Sequence, residues 1–449
     1  MQRRVSQGKA ACALLLAAMS CGCALRTELA NSGREAALSD PPLRHVEPDP
    51  QPTAAIEVLF TGNQHGRPEA SCERPLCRRL VAAIDGAQRS VDFAIYGLRD
   101  QNAVIDALVE AQVRGVRVRG VVDTEGAACD DFEYQHTGVL IQRLGSGSVR
   151  CDSGPGHGAI MHDKFFVFDG EAVWTGSTNI SDTELGGEYY ADAALLLSSR
   201  ELAQVYTREL EEMYAGQFHK HKVDDTLHVL APLPDGTQLE SYFSPSDRAI
   251  DNAVLPLIAG AQRSLDVAMY FFTEQRIAAE LQRAHARGVK LRMVLDASGA
   301  LNAYSKHTQL CAAGVPVKIE SWGGKSHSKW AVADAEDPER ATVLVGSLNW
   351  TRAADEDNDE NTLLIRQNAA VAAAFAREFA RQWADLPDAQ ICARVQAEGP
   401  RSAGSCSDGL DNDHDGHADL ADEACSCSDG LDNDGDGHID AADFECQPT

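Results

Sequence analysis

Two stretches of the chain place an imidazole two residues before an ammonium group. The first is His162-Asp163-Lys164, followed after four residues by Asp169 and then by Gly176-Ser177-Thr178-Asn179. The second is His327-Ser328-Lys329, followed after four residues by Asp334 and later by Gly346-Ser347-Leu348-Asn349. Imidazole can attack as a nucleophile or exchange a proton near neutral pH, and lysine supplies a fixed positive charge. On a strand, residues i and i+2 share a face, so each His points the same way as its Lys. The G-S-x-N turns add backbone N–H, hydroxyl and amide donors. One H-x-K is common by chance; two, each with the same following Asp and G-S-x-N, are not. Together the two sets suit a tetrahedral phosphorus, one imidazole attacking in line while the other protonates the leaving oxygen. The lysines take the charge role, so this chemistry is expected to need no cofactor.

The elements that position these sets are duplicated as well. Gly86-Ala87-Gln88-Arg89-Ser90-Val91-Asp92 recurs as Gly260-Ala261-Gln262-Arg263-Ser264-Leu265-Asp266. Each copy runs into an apolar strand, Phe93-Ala94-Ile95-Tyr96 and Val267-Ala268-Met269-Tyr270. A helix follows, marked by Val104, Ala107, Leu108 and Ala111 in one half and Ile277, Leu281 and Ala284 in the other. Both helices end in Arg-Gly-Val, with Gly115 and Gly288 at plausible C-caps. A second strand comes next, 116–123 and 289–296. A late helix closes each half, marked by Leu202, Val205, Tyr206, Leu210 and Met213, and by Val371, Phe375, Phe379 and Trp383. Strands alternating with helices predict an α/β fold in two like halves, 55–216 and 237–390, each a sheet covered by helices. The join, about 216–236, carries Phe218-His219-Lys220-His221-Lys222. It reads as a solvated linker, with contact to anionic headgroups as the lesser option.

Composition narrows the class. The 449 residues suffice for two or three domains. Forty Lys and Arg stand against 68 Asp and Glu, a formal net charge of −28. So acidic a chain disfavours a non-specific grip on long nucleic acid, which relies on Lys and Arg neutralising phosphates. Residues 1–23 read as an export signal: Arg3, Arg4 and Lys9 precede an apolar run from Ala10 to Met19 that is short for a bilayer span. Cys21, after Ala18-Met19-Ser20, resembles the lipid-modified cysteine of a bacterial lipoprotein, although Ala18 stands where Leu is usual. A lipid anchor in the cell envelope and plain secretion are both open. Residues 24–54 read as a polar tether. Thirteen cysteines suit an oxidising compartment. Cys72/Cys77 and Cys129/Cys151 are close enough in sequence to pair, as are Cys406/Cys425 and Cys427/Cys446. Cys311 and Cys392 can pair only if the fold brings them together.

Residues 404–449 form a small array of two similar units. Asp411, Asp413, Asp415, Asp419 and Asp422 fall at loop positions 1, 3, 5, 9 and 12, with Gly416 at 6. Asp432, Asp434, Asp436, Asp440 and Asp443 repeat the pattern around Gly437. It resembles an EF-hand-type Ca²⁺ loop with Asp at the last position, but cysteines rather than helices bracket each loop. The expected ligand is Ca²⁺ in a stabilising or adhesive role; a solvated acidic spacer is the alternative.

The paired motifs resemble the signature of the phospholipase D superfamily, H-x-K-x4-D-x6-G-S-x-N. The first copy matches throughout. The second has eleven residues, 335–345, between Asp334 and Gly346, and Glu336-Asp337-Pro338-Glu339 reads as a longer hairpin turn. The resemblance spans roughly 55–390. It implies two α/β/α sandwich halves around one shared site and a phosphohistidine intermediate, with His162 as nucleophile and His327 as general acid. Lys164, Lys329, Asn179 and Asn349 would hold the phosphate, assisted by Ser177 and Ser347. The family also places a carboxylate after G-S-x-N to orient each His: Glu360 in the second half, and Asp192 or alternatively Glu188 in the first. Asp169 and Asp334 belong to the motif but read as holding the local turn. The leading expectation is hydrolysis of a phospholipid at the cell envelope to phosphatidic acid and a free headgroup. Alternatives are a metal-independent endonuclease, a cardiolipin synthase-like phosphatidyl transferase and, outside enzymes, a Ca²⁺-dependent surface binding protein.

Overall fold

Repetition in the sequence becomes repetition in strand pairing. The computed structural model describes residues 56–62, 64–125, 129–152, 159–223 and 231–393. The export signal with Cys21, the tether and the Asp-rich tail with its calcium-type loops lie outside these residues. The first half contains β1 (Ile56–Phe60), β2 (Ser90–Ile95), β3 (Arg117–Val122), β4 (Val149–Cys151), β5 (Lys164–Phe168), β6 (Ala172–Gly176) and β7 (Ala193–Ser198). The second contains β8 (Ala231–Pro232), β9 (Gln238–Ser244), β10 (Ser264–Met269), β11 (Lys290–Leu295), β12 (Val317–Ile319), β13 (Lys329–Ala333), β14 (Thr342–Gly346) and β15 (Glu360–Arg366). Their orders are β4-β3-β2-β5-β6-β7-β1 and β12-β11-β10-β13-β14-β15-β9-β8, so the sheets match strand for strand until β8 extends the second. Even the register repeats: Ile95 opposes Lys164, and Met269 opposes Lys329.

Each sheet is mixed. β2 runs parallel to β3 and antiparallel to β5, and β10 treats β11 and β13 likewise. Strands such as Lys-Phe-Phe-Val-Phe of β5 are buried along their whole length because helices or the other half cover both faces. The late helices, Arg200–Tyr214 and Ala369–Asp385, start on caps the sequence supplies: Ser199 accepts from Leu202 N at 3.2 Å and Asn368 from Val371 N at 2.9 Å. Their apolar faces enter a single core that both halves share. In it Tyr206 packs edge-on to Phe165 and to Phe243, each at 5.0 Å, and Phe60 meets Phe375 at 4.9 Å. Each such aromatic pair contributes about 0.5–1.5 kcal/mol beyond its buried area. Two further clusters cover the outer faces, one per half. No helix among the described residues is long and apolar enough to cross a membrane.

Three disulfides close among the described residues: Cys72–Cys77, Cys129–Cys151 and Cys311–Cys392. The last, left open by sequence, forms because the segment ending at Cys392 runs back along β12, with Cys392 N donating to Val317 O at 2.6 Å. The join between halves is not a solvated linker. Phe218, His219 and Lys222 are buried in it, while Gln217, Lys220, His221 and Val223 face solvent.

The motif aspartates sit at the far ends of β5 and β13, about 15 Å along the strand from the lysines. Asp169 and Asp334 adopt left-handed φ of 55° and 50°, and each carboxylate accepts from three successive backbone N–H groups: Gln88, Arg89 and Ser90, or Gln262, Arg263 and Ser264. Placement in the motif therefore does not bring them to the chemistry; they lock the start of β2 and β10. Asp334→Ala should destabilise the protein by about 1–3 kcal/mol through the donors it orphans, lowering the thermal midpoint while kcat on a phosphodiester stays unchanged. A fall in kcat without a fall in the midpoint would place Asp334 in the chemistry instead.

Candidate active site

The main chain leading into β5 and β13 pairs with main chain of the other half. His162 N donates to Asp359 O at 2.8 Å and Asp359 N to Ile160 O at 3.0 Å. Ala191 N donates to Lys325 O at 2.8 Å, and the Ser328 hydroxyl to Ala191 O at 2.9 Å. Asp359 precedes β15 and Ala191 precedes β7. Each H-x-K is thus zipped to the lead-in of the strand that follows the other half's G-S-x-N turn, and the orienting carboxylates cross over. Glu360 of the second half lies 2.8 Å from Nδ1 of His162. Glu184 and Asp192 of the first half each lie 3.4 Å from Nδ1 of His327.

The supports around each histidine are repeated. Lys164 Nζ donates to His162 O at 2.9 Å and Lys329 Nζ to His327 O at 2.7 Å. Tyr96, just past β2, packs against His162 at 5.5 Å; Tyr270, just past β10, packs against His327 at 4.8 Å. The same rings lie beneath the ammonium groups, 5.7 Å from Lys164 Nζ and 4.9 Å from Lys329 Nζ. Asp123 and Asp296 end β3 and β11 in the same way. Asp123 accepts from Met161 N at 2.7 Å, and Asp296 from Ser326 N at 2.9 Å, so each holds the residue before a histidine. These tyrosines and aspartates were not singled out as site residues in the sequence, yet the repeat places them in equivalent positions.

The remaining predicted residues divide into those that face the histidines and those that brace the turns. The Asn179 amide donates to Glu184 Oε1 at 2.7 Å, and its backbone N–H donates to Oε2. Asn349 Oδ1 receives a long 3.4 Å contact from Phe271 N. The hydroxyls expected to assist at phosphate are used inside the protein. Ser177 Oγ accepts from Ala193 N at 3.1 Å, and Ser347 Oγ accepts from Asn361 N at 2.9 Å and also lies against Glu360. They clamp the first residues of β7 and β15 to the turns. The turns lie so close to those strands that a Cβ on Gly176 would meet Ala193 O at 2.1 Å, and one on Gly346 would meet Asn361 O at 2.0 Å. Glu188, the alternative first-half carboxylate, instead accepts from Leu76 N at 3.1 Å. Glu184 was missed. Its only sequence signal is the capping pattern Ser181-Asp182-Thr183-Glu184, in which Ser181 Oγ accepts from Glu184 N at 3.2 Å. The matching cap in the second half runs from Thr351 to Ala354, so this carboxylate occurs once.

Burial sets the charges apart. Burial and then the Lys164 and Lys329 ammonium groups push His162 well below the usual imidazole value of 6.5. Burial lifts Glu360 to about 8 against the pull of Lys164. One proton therefore serves this pair, and with it on Nδ1 the Nε2 lone pair is free to attack. On the other side burial raises Glu184, but His327 and the Asn179 donors outweigh it and hold the carboxyl at about 2. Burial and the Glu184 charge raise Asp192. Glu184, Asp192 and His327 offer ligand atoms within 4.8 Å of one another, the one such group among the described residues. Two acidic side chains at His327 against one at His162 make the surroundings of the two imidazoles unequal.

Burial is also the main force on the lysines, lowering Lys164 to about 8 and Lys329 to about 7. Both are charged below these values and neutral above them, so the site loses its anion-binding charge as pH rises. For the free enzyme, kcat/KM should fall above about pH 7–8, while its acid limb lies well below 6.5 because His162 stays neutral there. Lys329→Arg should carry the alkaline limb upward in a pH–rate profile. An unmoved limb would mean that another group sets it.

A family model described as "Cardiolipin synthase, PLD-like domain" matches residues 80–214 and 254–383, one segment in each repeated half. The mitochondrial cardiolipin hydrolase of Xenopus laevis is 32% identical over 199 residues, which are 44% of this chain and 90% of that protein. The phospholipase D of Rickettsia conorii is 32% identical over 123 residues, 27% of this chain and 56% of that one. In fold alone, the crystal structure of phosphatidylserine synthase from Haemophilus influenzae resembles 73% of this chain and 86% of its own, at a TM-score of 0.53 and 16% identity. With two matched segments covering more than half its length and falling on its two repeats, the chain belongs to the phospholipase D-like family.

Proposed function

We propose that the chain is a phosphodiesterase that hydrolyses a phospholipid to phosphatidic acid and a free headgroup through a phosphohistidine at His162. The observation that carries this reading is the crossed pair of imidazoles, each held at Nδ1 by carboxylates of the opposite half and each beside its own buried lysine. His162 Nε2 attacks phosphorus and the bond from phosphorus to the headgroup oxygen breaks. His327 gives its Nε2 proton to that oxygen. Water then attacks the phosphohistidine, losing a proton to His327, and the P–N bond breaks to release phosphatidic acid. Each lysine spends one N–H on its own histidine's carbonyl and has two left for the non-bridging oxygens. The chemistry uses no cofactor.

Support for a lipid substrate comes from the acidic composition, which disfavours nucleic acid, and from the activities named for the Xenopus laevis and Rickettsia conorii relatives. An export signal, with lipid attachment at Cys21, would hold the enzyme at the membrane surface of the envelope. Ca²⁺ in the Asp411–Asp422 and Asp432–Asp443 loops would stabilise the tail without entering the reaction. The family model's description favours one other outcome, interception of the same intermediate by an alcohol instead of water, which is phosphatidyl transfer.

The test is a panel of phosphatidylcholine, phosphatidylethanolamine, phosphatidylglycerol and cardiolipin vesicles with single- and double-stranded DNA, run with Ca²⁺ and with EDTA. Headgroup release with formation of phosphatidic acid should persist in EDTA and fall about 10²–10⁴-fold in His327→Ala and at least as far in His162→Ala. DNA cleavage without lipid turnover would sink the proposal. Full activity in His327→Ala would refute the shared site.

A further inference from the structure

The segment joining the halves runs behind His162 and grips the residue that holds it. Asp359 has a fully buried side chain, and its main chain pairs on both sides with the lead-in to His162. Its carboxylate is held from three directions by the join. His219 N donates to Oδ1 at 2.8 Å, His219 Nδ1 lies 2.9 Å from Oδ2, and Lys222 Nζ lies 2.9 Å from Oδ1. The other nitrogen of His219 lies 2.6 Å from Asp152 Oδ2, just past β4. His219 therefore bridges a carboxylate of each half. Lys222 also pairs with Glu209 and donates to Ser244 O at 2.9 Å.

Three features separate this strap from an incidental surface contact. Burial lowers His219, but Asp152 and Asp359 outweigh it and raise the imidazole to about 10, so it is a cation like Lys222; both are at most 7% exposed and their pairs are little screened. His219 holds a left-handed φ of 55°, a strained backbone for a residue other than glycine that surrounding contacts maintain. And the device occurs once among the described residues. By strand register, Asp359 and Glu360 correspond to Ala191 and Asp192, so the main chain that braces His327 has no charged side chain to grip.

We propose that His219 and Lys222 are positioning residues for His162: by fixing Asp359 they set the main chain that carries both His162 and the adjoining Glu360. Only the kinetic arm of the test rests on the phosphodiesterase reading. The charged groups around His219 are Asp152 and Asp359, with Asp123 nearby; Lys222 faces Asp163, Glu209 and Asp359. Those around His162 are Glu360, Lys164, Lys329 and His327. Removing a strap cation leaves carboxylates uncompensated behind His162, so its ring binds a proton at higher pH.

The experiment uses the full chain with His219→Asn, which is neutral and tolerates the left-handed backbone, and His219→Lys, which keeps the charge. The His162 ring is titrated by NMR in histidine-labelled protein, its signal assigned by loss in His162→Ala, and hydrolysis of bis(p-nitrophenyl) phosphate is followed in parallel. In His219→Asn the His162 titration and the acid limb of kcat/KM should move upward together. Its kcat should fall about 10–100-fold with little change in KM, as expected for a misplaced nucleophile. His219→Lys should return the titration toward wild type. Should His219→Asn fail to fold, Lys222→Gln removes the other cation and should shift the titration the same way. A folded variant that titrates and turns over like wild type overturns the proposal. A wild-type protein that cleaves no phosphodiester overturns the phosphodiesterase reading alone, since the titration still reports on the strap.

Discussion

Everything at the centre of this molecule depends on a short exchange of main-chain hydrogen bonds between its halves. Ile160 and His162 pair with Asp359, and Ala191 pairs with Lys325. Buried N–H and C=O groups must find partners, and here the partners come from the other repeat. The exchange fixes where β15 begins relative to β5, and with it the reach of Glu360 to His162. It likewise fixes β7 against β13, and with it the approach of Glu184 and Asp192 to His327. The shared apolar core around Tyr206, Phe243, Trp330 and Phe375 holds the sheets at the separation this pairing requires.

Into that frame the chain buries far more charge than a core ordinarily tolerates. Lys164, Lys329, Glu184, Asp192 and Glu360 are all at most 3% exposed. Desolvated charges shift their proton affinities until partners satisfy them. Burial lowers the lysines, and the hydrogen bond each makes is to the carbonyl of its own histidine. What would complete them is an anion with several oxygens, which is the ground state and still more the transition state of a phosphodiester.

What was legible in the sequence was whatever occurred twice. Strand and helix periodicity, the two H-x-K sets and the G-S-x-N turns all pointed to one architecture, and Tyr96 with Tyr270 and Asp123 with Asp296 could have been found by the same comparison. What occurred once was hidden. Glu184 has no counterpart, so alignment of the halves passes over it in favour of Asp192 and Glu188. The His-Lys-His-Lys run looked solvated because nothing local marks it for burial; its partners Asp152, Glu209 and Asp359 lie far apart in sequence and converge only in three dimensions. The crossing of carboxylates was hidden for the same reason, since spacing within a half says nothing about which half's histidine a side chain meets.

The single occurrence of Glu184 and of the strap on Asp359 has a consequence for descent. Two identical halves related by a two-fold axis would receive every mutation on both sides of the phosphorus, and a change that helped the attacking imidazole would be forced on the donating one. Covalent linkage of the copies removes that constraint. Each side can then drift toward its own task. The linking peptide is also free to enter the protein's interior, where His219 and Lys222 lie against Asp359 on one side of the site.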